Sequence, residues 1–188
     1  MIKWTALALV LGFFIDLLVG DPRWLYHPVR IIGKGISFLE ACFRRWFPKT
    51  QKGERIGGFL LVIFICAGSA AIPLAILYVA YKIHTLLGIG IETFFCYQML
   101  AVKSLKQESM RVFEELEKGD LKGARYAVSM IVGRDTKSLD EIGVTKAAVE
   151  TVAENTSDGI IAPLFYMAIG GPVLMFFYKG VNTMDSMV

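Results

Sequence analysis

The sequence predicts an all-α, polytopic integral membrane protein with a helical insertion on the cytoplasmic side. Hydrophobic residues make up 55% of the 188 positions and charged residues only 20%, and the mean hydropathy is +0.53. The apolar residues gather into four runs, 4–20, 57–81, 86–102 and 160–178, each close to the ~20 residues that a spanning helix needs. The polar stretches between them, 21–56 and 103–158, are rich in Lys and Arg. The length fits one domain. A net charge of +3 is too mild to indicate a nucleic-acid partner, so the expected surroundings are the lipid bilayer.

The first run, WTALALVLGFFIDLLVG, has only Lys3 ahead of it and Asp-Pro-Arg after it. It therefore reads as a membrane helix and not as a cleaved signal peptide. Asp16 inside it is a functional candidate, because an acid within the membrane is costly to keep there. Residues 21–56 carry eight basic residues (23, 30, 34, 44, 45, 49, 52 and 55) against three acids. Pro22 and Pro28 stiffen the segment holding His27, a residue suited either to interface packing or to a site. Ile36, Leu39, Phe43 and Trp46 recur at helical spacing over residues 34–47, among Lys34, Arg44 and Arg45, which predicts an amphipathic helix on a membrane surface.

Residues 57–81 form the clearest span, with Pro73 as a tolerated kink, and 86–102 a shorter one containing Glu92. Beyond it, Leu105, Val112, Phe113 and Leu116 mark one face of a helix ended by Gly119. Asp120 caps a second helix that carries Leu121, Ala124, Val128 and Ile131. With two spans between them, the polar stretches fall on one side, and their Lys and Arg content makes that side cytoplasmic. Residues 160–178 are interrupted by Pro163 and Gly170-Gly171-Pro172, so they form either a fourth span or a broken, re-entrant pair of half-helices. The three cysteines have no metal-ligand spacing and read as free thiols.

The chemistry concentrates in GRDTKSLDEIGVTKAAVETVAENTSDG, residues 133–159. It opens as a turn in which Gly133 can close the preceding helix, and a helix is expected from about Thr145. On that helix Glu150, Glu154 and Asp158 stack at four-residue spacing and repel. The offsetting cation is a divalent metal, Arg134, or a Lys supplied by the fold. There is no Walker A, HExxH, GxSxG or Rossmann motif, and two histidines disfavour a His-based metal site. The oxygen-rich set Asp135, Thr136, Asp140, Glu150, Glu154, Asn155, Asp158, Asn182 and Asp185 suits Mg²⁺ with substrate phosphates, and Arg134 suits a phosphate or carboxylate. Phosphoryl or acyl activation at the membrane surface is the chemistry such a set supports. A solvated acidic face is the competing reading.

Four segments, GDPRWLYHPVRIIG (20–33), GDLKGARYAVSMIVGRDT (119–136), AAVETVAENTSDGIIAPLFY (147–166) and VNTMDSM (181–187), resemble the adenosylcobinamide-phosphate synthases of cobalamin biosynthesis, the CbiB/CobD family. The resemblance implies a multi-pass ligase of the cell (inner) membrane that joins aminopropanol, or its O-phosphate, to adenosylcobyric acid. Mg²⁺ would be the cofactor and ATP the co-substrate. It implies catalytic roles among Asp135, Glu150 and Glu154, and metal binding among Glu150, Glu154 and Asp158. Phosphate or corrin side-chain contacts would come from His27 and Arg134, with Thr136, Asn155, Asn182 and Asp185 completing the substrate pocket. A second copy and other membrane enzymes of the pathway are its candidate protein partners. Members of the family continue past VNTMDSM, so the chain is expected to be truncated at its C-terminus. Sharing one site among all the motifs favours the re-entrant reading of 160–178. Two alternatives stand beside the ligase: a non-catalytic membrane regulator of the AmpE type, and a small transporter built around Asp16 and Glu92.

Overall fold

The computed structural model describes residues 2–22 and 24–188. Arg23, one of the basic residues counted above, lies outside them, as do the side chains at positions 2 and 3, Lys3 among them. The described residues contain no strand. Eight α-helices follow in order: α1 (Ile2–Val19), α2 (Pro28–Trp46), α3 (Gln51–Ile83), α4 (Thr85–Gln98), α5 (Val102–Glu117), α6 (Leu121–Ser129), α7 (Glu141–Thr156) and α8 (Ala162–Met187). A π-helical turn, Ser157–Ile161, joins the last two. By length and composition three helical stretches among the described residues are apolar enough to cross a membrane, Gln51–Ile83, Thr85–Glu117 and Glu141–Met187, the second broken between α4 and α5 and the third at Gly170-Gly171. Trp4–Val19 is a shorter apolar helix.

α1 and α4 run side by side in the same direction. They approach closely because position 12 is glycine: a Cβ there would lie 2.6 Å from the Cys96 Cβ. Ala8, Cys96, Leu100, Met167, Met175 and Phe176 bury one core between α1, α4 and α8. The outer faces of α1, α3 and α8 carry exposed large apolar residues such as Phe14, Leu18, Phe59, Ile72 and Phe165, which is how a lipid-facing surface looks, since lipid does not penalise their exposure. Asp16 is fully buried. Its carboxylate accepts from the Val102 N–H at 2.8 Å, so it satisfies the first turn of α5, where a negative charge is favoured. Glu92 accepts from the hydroxyls of Thr5 (2.7 Å) and Tyr81.

α2 does more than lie on a membrane surface. Its Ile36 and Phe43 pack with Leu61 and Ile65 of α3 and Met184 of α8, while Trp46 stays exposed. In the insertion, α5, α6 and α7 share a core of Val112, Ala124, Val128, Val144 and Ala147. Gly119 ends α5 with a positive φ of 72°, and the Asp120 side chain accepts from Gly123 N–H at 2.9 Å. Phe113, about 100° round the helix from buried Val112, is exposed. Gly133 does not close α6, which ends at Ser129, and its φ is not among the positive ones. α7 begins four residues before the expected Thr145, because Asp140 is its N-cap and accepts from Gly143 N–H at 2.8 Å.

α8 is interrupted at Gly170 and Gly171, whose backbones leave the helical region. The chain doubles back there. The rings of Tyr166 and Tyr178 stack at 4.7 Å, whereas a straight helix would hold them about 18 Å apart. Asp158 and Asn182 hydrogen-bond at 3.0 Å in place of a separation of roughly 36 Å. The turn lies beside Thr5 and Glu92, near the start of α1. The second arm then returns, until Met187 meets Gly33 of α2. Residues 160–178 thus form a helical hairpin with both ends on the same side of the bundle.

Gly171 has φ 63° and ψ −163°, a conformation open essentially only to glycine. Gly171→Ala is therefore expected to cost about 1–3 kcal/mol, read as a lowered thermal midpoint in detergent. Gly90→Ala, with nothing within 4 Å of the added Cβ, is the matched control. Equal midpoints for the two variants would exclude strain at the reversal.

Candidate functional site

Both polar stretches meet at the end of the bundle where the hairpin arms begin and end. A cleft of about 1400 Å³ opens there, walled by the segment 21–30, by 126–134, by α7 with the π-turn, and by the returning arm of α8. It exceeds the ~300–1,000 Å³ usual for small-molecule pockets, so it has room for a large ligand or for two ligands together.

His27 enters from the wall that precedes α2. It is the N-cap of α2, its Nδ1 accepting from Val29 N–H at 3.2 Å, and Pro28 follows at the first helical position, where its missing N–H is no loss. Burial holds the imidazole below its ordinary pKa, and the nearby charges of Lys179 and Arg30 push it the same way against an opposing pull from Asp21. It is therefore neutral at pH 7. With Nδ1 accepting, the proton sits on Nε2, and His27 offers the cleft an N–H donor.

The acidic row of α7 is resolved residue by residue. Glu150 pairs with the Arg134 guanidinium at 2.6 Å and lies 3.9 Å from the Lys146 ammonium. That hydrogen bond holds its carboxyl below the usual range. Asp158 accepts from Asn182 Nδ2 at 3.0 Å and from the Tyr178 hydroxyl at 3.4 Å. Glu154 lines the cleft, and its carboxylate has no hydrogen bond or ion pair among the described residues. Both cations at Glu150 come from the protein. Among the described residues no three His, Cys, Asp or Glu side chains converge into a ready-made metal cage.

Of the residues expected at the site, His27, Arg134, Glu150, Glu154, Asn155, Asp158 and Asn182 all line this one cleft. Asp135, Thr136 and Asp185 are not among its lining residues. Asp135 accepts from Lys137 N–H at 3.0 Å and shapes its own turn. Buried Thr136 donates to the Arg125 carbonyl at 3.0 Å and anchors the same loop to α6. Asp185 is exposed on the returning arm. The cleft adds Asp21, Arg30, Gln98, Tyr126, Lys179 and Ser186, which spacing alone did not bring forward. Lys179 did carry a signal: it is the single charged residue between Asp158 and Asp185, directly after the apolar run 160–178.

With this geometry in hand, the chain can be placed. An all-α, membrane-type bundle whose hairpin delivers a polar motif back to a basic and acidic cleft defines the class. Residues 9–188 match the family model for the CobD/CbiB proteins, and the chain belongs to that family. It is 46% identical over 95% of its length to cobalamin biosynthesis protein CobD of Clostridium perfringens, and 44% identical over its whole length to that of Pelobacter propionicus. To cobalamin biosynthesis protein CbiB of Salmonella typhimurium it is 41% identical over 98% of its length. The chain spans 56–57% of the length of these relatives. No solved structure matches it.

Because the folded-state pKa of His27 lies below the ~6.5 of an unfolded histidine, its contribution to stability is complete above about pH 6.5. It is lost as the pH falls through the folded value. The wild-type protein is expected to lose stability between about pH 7 and pH 5. His27→Asn, which can keep the cap and does not titrate, should lose less. Circular-dichroism melts at the two pH values measure this, and parallel losses would exclude His27 as the titrating group.

Proposed function

We propose that this chain supplies part of a cobalamin-biosynthesis enzyme, and that the cleft is where a corrinoid carboxylate is converted to an amide with ATP. The supporting names belong to its relatives, cobalamin biosynthesis proteins CobD and CbiB. The single observation that carries the reading is the cleft itself. One opening at the edge of an apolar bundle brings together cations for phosphate, an unpaired carboxylate and hydrogen-bond donors, the equipment that acyl activation requires.

The reaction proposed is a two-step ligation. A propionate oxygen of adenosylcobyric acid attacks the γ-phosphorus of ATP, the bond to ADP breaks, and an acyl phosphate forms. The nitrogen of aminopropanol, or of its O-phosphate, attacks the acyl carbon, inorganic phosphate leaves, and the nitrogen gives up its proton to a base. Glu154, a partnerless carboxylate in the cleft, is the proposed base. Arg134, with the rest of its guanidinium fork available, orients phosphoryl oxygens. Asn155 supplies neutral hydrogen bonds to substrate amides, and His27 Nε2–H donates to a phosphate or corrin side-chain oxygen. The donor set fits Mg²⁺ of the kind that binds one or two carboxylates and completes its shell with substrate phosphates and water. Asp158 would hold it through the lone pairs that Asn182 and Tyr178 leave open, and when bound it would neutralise charge on the transferring phosphate. The cleft is proposed to face the cytoplasm, on the side rich in Lys and Arg. A transporter built around Glu92 gains nothing from the structure, since that carboxylate is taken up by Thr5 and Tyr81.

Complementation of a strain blocked at cobinamide formation tests the reading, using this chain and a version of family length. The longer version should restore growth on the corrinoid precursor, and its failure would sink the ligase assignment. In the active version, Glu154→Gln should lower amide formation by about 10²–10⁴-fold, the range of a lost acid–base group, with thermal stability unchanged. Full activity in that variant would remove Glu154 from the chemistry.

A further inference from the structure

The π-turn and the lysine facing it form a device that the family assignment does not explain. In an α-helix the Asp158 carbonyl would receive the N–H of residue 162. Here Ala162 N–H goes instead to Ser157 O, one residue further back. The next residue able to serve the Asp158 carbonyl is Pro163, which has no N–H. That carbonyl is left without a main-chain donor, and the Lys179 ammonium takes it at 2.7 Å from the opposite arm of the hairpin. An unpaired carbonyl in this setting would be costly, so the lysine is drawn to one place. An ammonium has three donors, and this bond uses one.

What surrounds the remaining two points to a ligand. Lys179 is half-buried and lines the cleft. The Asp158 carboxylate beside it is already engaged by Asn182 and Tyr178 and forms no direct ion pair with it. Across the cleft the Lys179 charge is felt by His27, whose Nε2–H is a donor, and Arg30 lines the same wall. Two cations and a neutral N–H thus line one end of the cleft, with a single carboxylate, Asp21, beside His27, apart from the Arg134–Glu150 pair on the α7 side. π-turns of this sort are frequent at functional sites.

We propose that Lys179 is an anion-binding residue. Held by the Asp158 carbonyl, it binds an oxygen of a phosphate or of a carboxylate together with the His27 N–H. The inference rests on the cleft being a ligand site, and it names a residue and a ligand class for one end of it. Phosphate and carboxylate share the chemistry, and two probes separate them.

Purified wild-type protein, Lys179→Met and Lys179→Arg are titrated in detergent with inorganic pyrophosphate and, separately, with propionate. Thermal midpoints are recorded alongside. Lys179→Met should weaken at least one probe by ten-fold or more, while Lys179→Arg, which keeps charge and donors, stays within about three-fold of wild type. The probe that loses affinity identifies the anion. Three results would overturn the inference: wild type binding neither probe, Lys179→Met binding both as wild type does, or the two variants losing binding equally in step with a fall in midpoint. Amide formation is assayed separately on the version of family length. Full activity in its Lys179→Met variant would remove the lysine and leave the ligase standing. Lysine-dependent anion binding in a protein that makes no amide would do the reverse.

Discussion

The structure depends most on the tie across the base of the α8 hairpin. Asp158, at the start of the ingoing arm, is bonded through its carboxylate to Asn182 and Tyr178 and through its carbonyl to Lys179, all on the returning arm. A broken helix in an apolar environment survives only if its freed backbone groups find partners inside the protein. Pro163 and the π-turn create such a group, and Lys179 satisfies it. The same bonds set the register of the arms, so the VNTMDSM segment arrives beside the VAENTSDG segment. The Tyr166–Tyr178 stack continues that register toward the reversal at Gly171.

From this tie follows the charge pattern of the cleft. Glu150, Glu154 and Asp158 would repel if all three were left bare. Arg134 and Lys146 attend to Glu150, neutral donors attend to Asp158, and only Glu154 remains open. The exposed Glu150 pair adds little to folding, as surface pairs generally do, and its consequence is positional: it keeps a guanidinium at the rim. The two acids inside the bundle behave differently. Asp16 caps α5 and Glu92 gathers two hydroxyls, which makes both part of the scaffold that fixes α1, α4 and α5 beneath the cleft.

Much of the local structure was legible because its causes are local. Apolar runs gave the membrane-type helices, Gly119 and Asp120 gave the α5–α6 corner, and the 3.6-residue pattern gave Ala124 and Val128 as core. The misreadings also have local causes. α7 starts earlier than its apolar pattern suggests because the Asp140 side chain, chemically also a possible oxygen ligand, serves as the cap. Hydrophobicity alone points Phe113 inward, but its helix buries only the stripe through Val112. Asp135 and Thr136 are a different case: their side chains hold the loop that carries Arg134 to the cleft.

By itself the sequence determined the membrane class, the helical content and the segments in which chemistry would concentrate, because burial in lipid and helix capping act over a few residues and leave periodic, readable marks. Only the tertiary structure decided that residues 160–178 double back, that seven of the expected residues share one cleft, and that Lys179 belongs with them. Each of these turns on a partner some twenty or more residues away, or on an orphaned carbonyl that exists only once Pro163 and the π-turn are in place. No spacing rule along the chain encodes such pairings, since the donor and the acceptor meet only after the hairpin has closed.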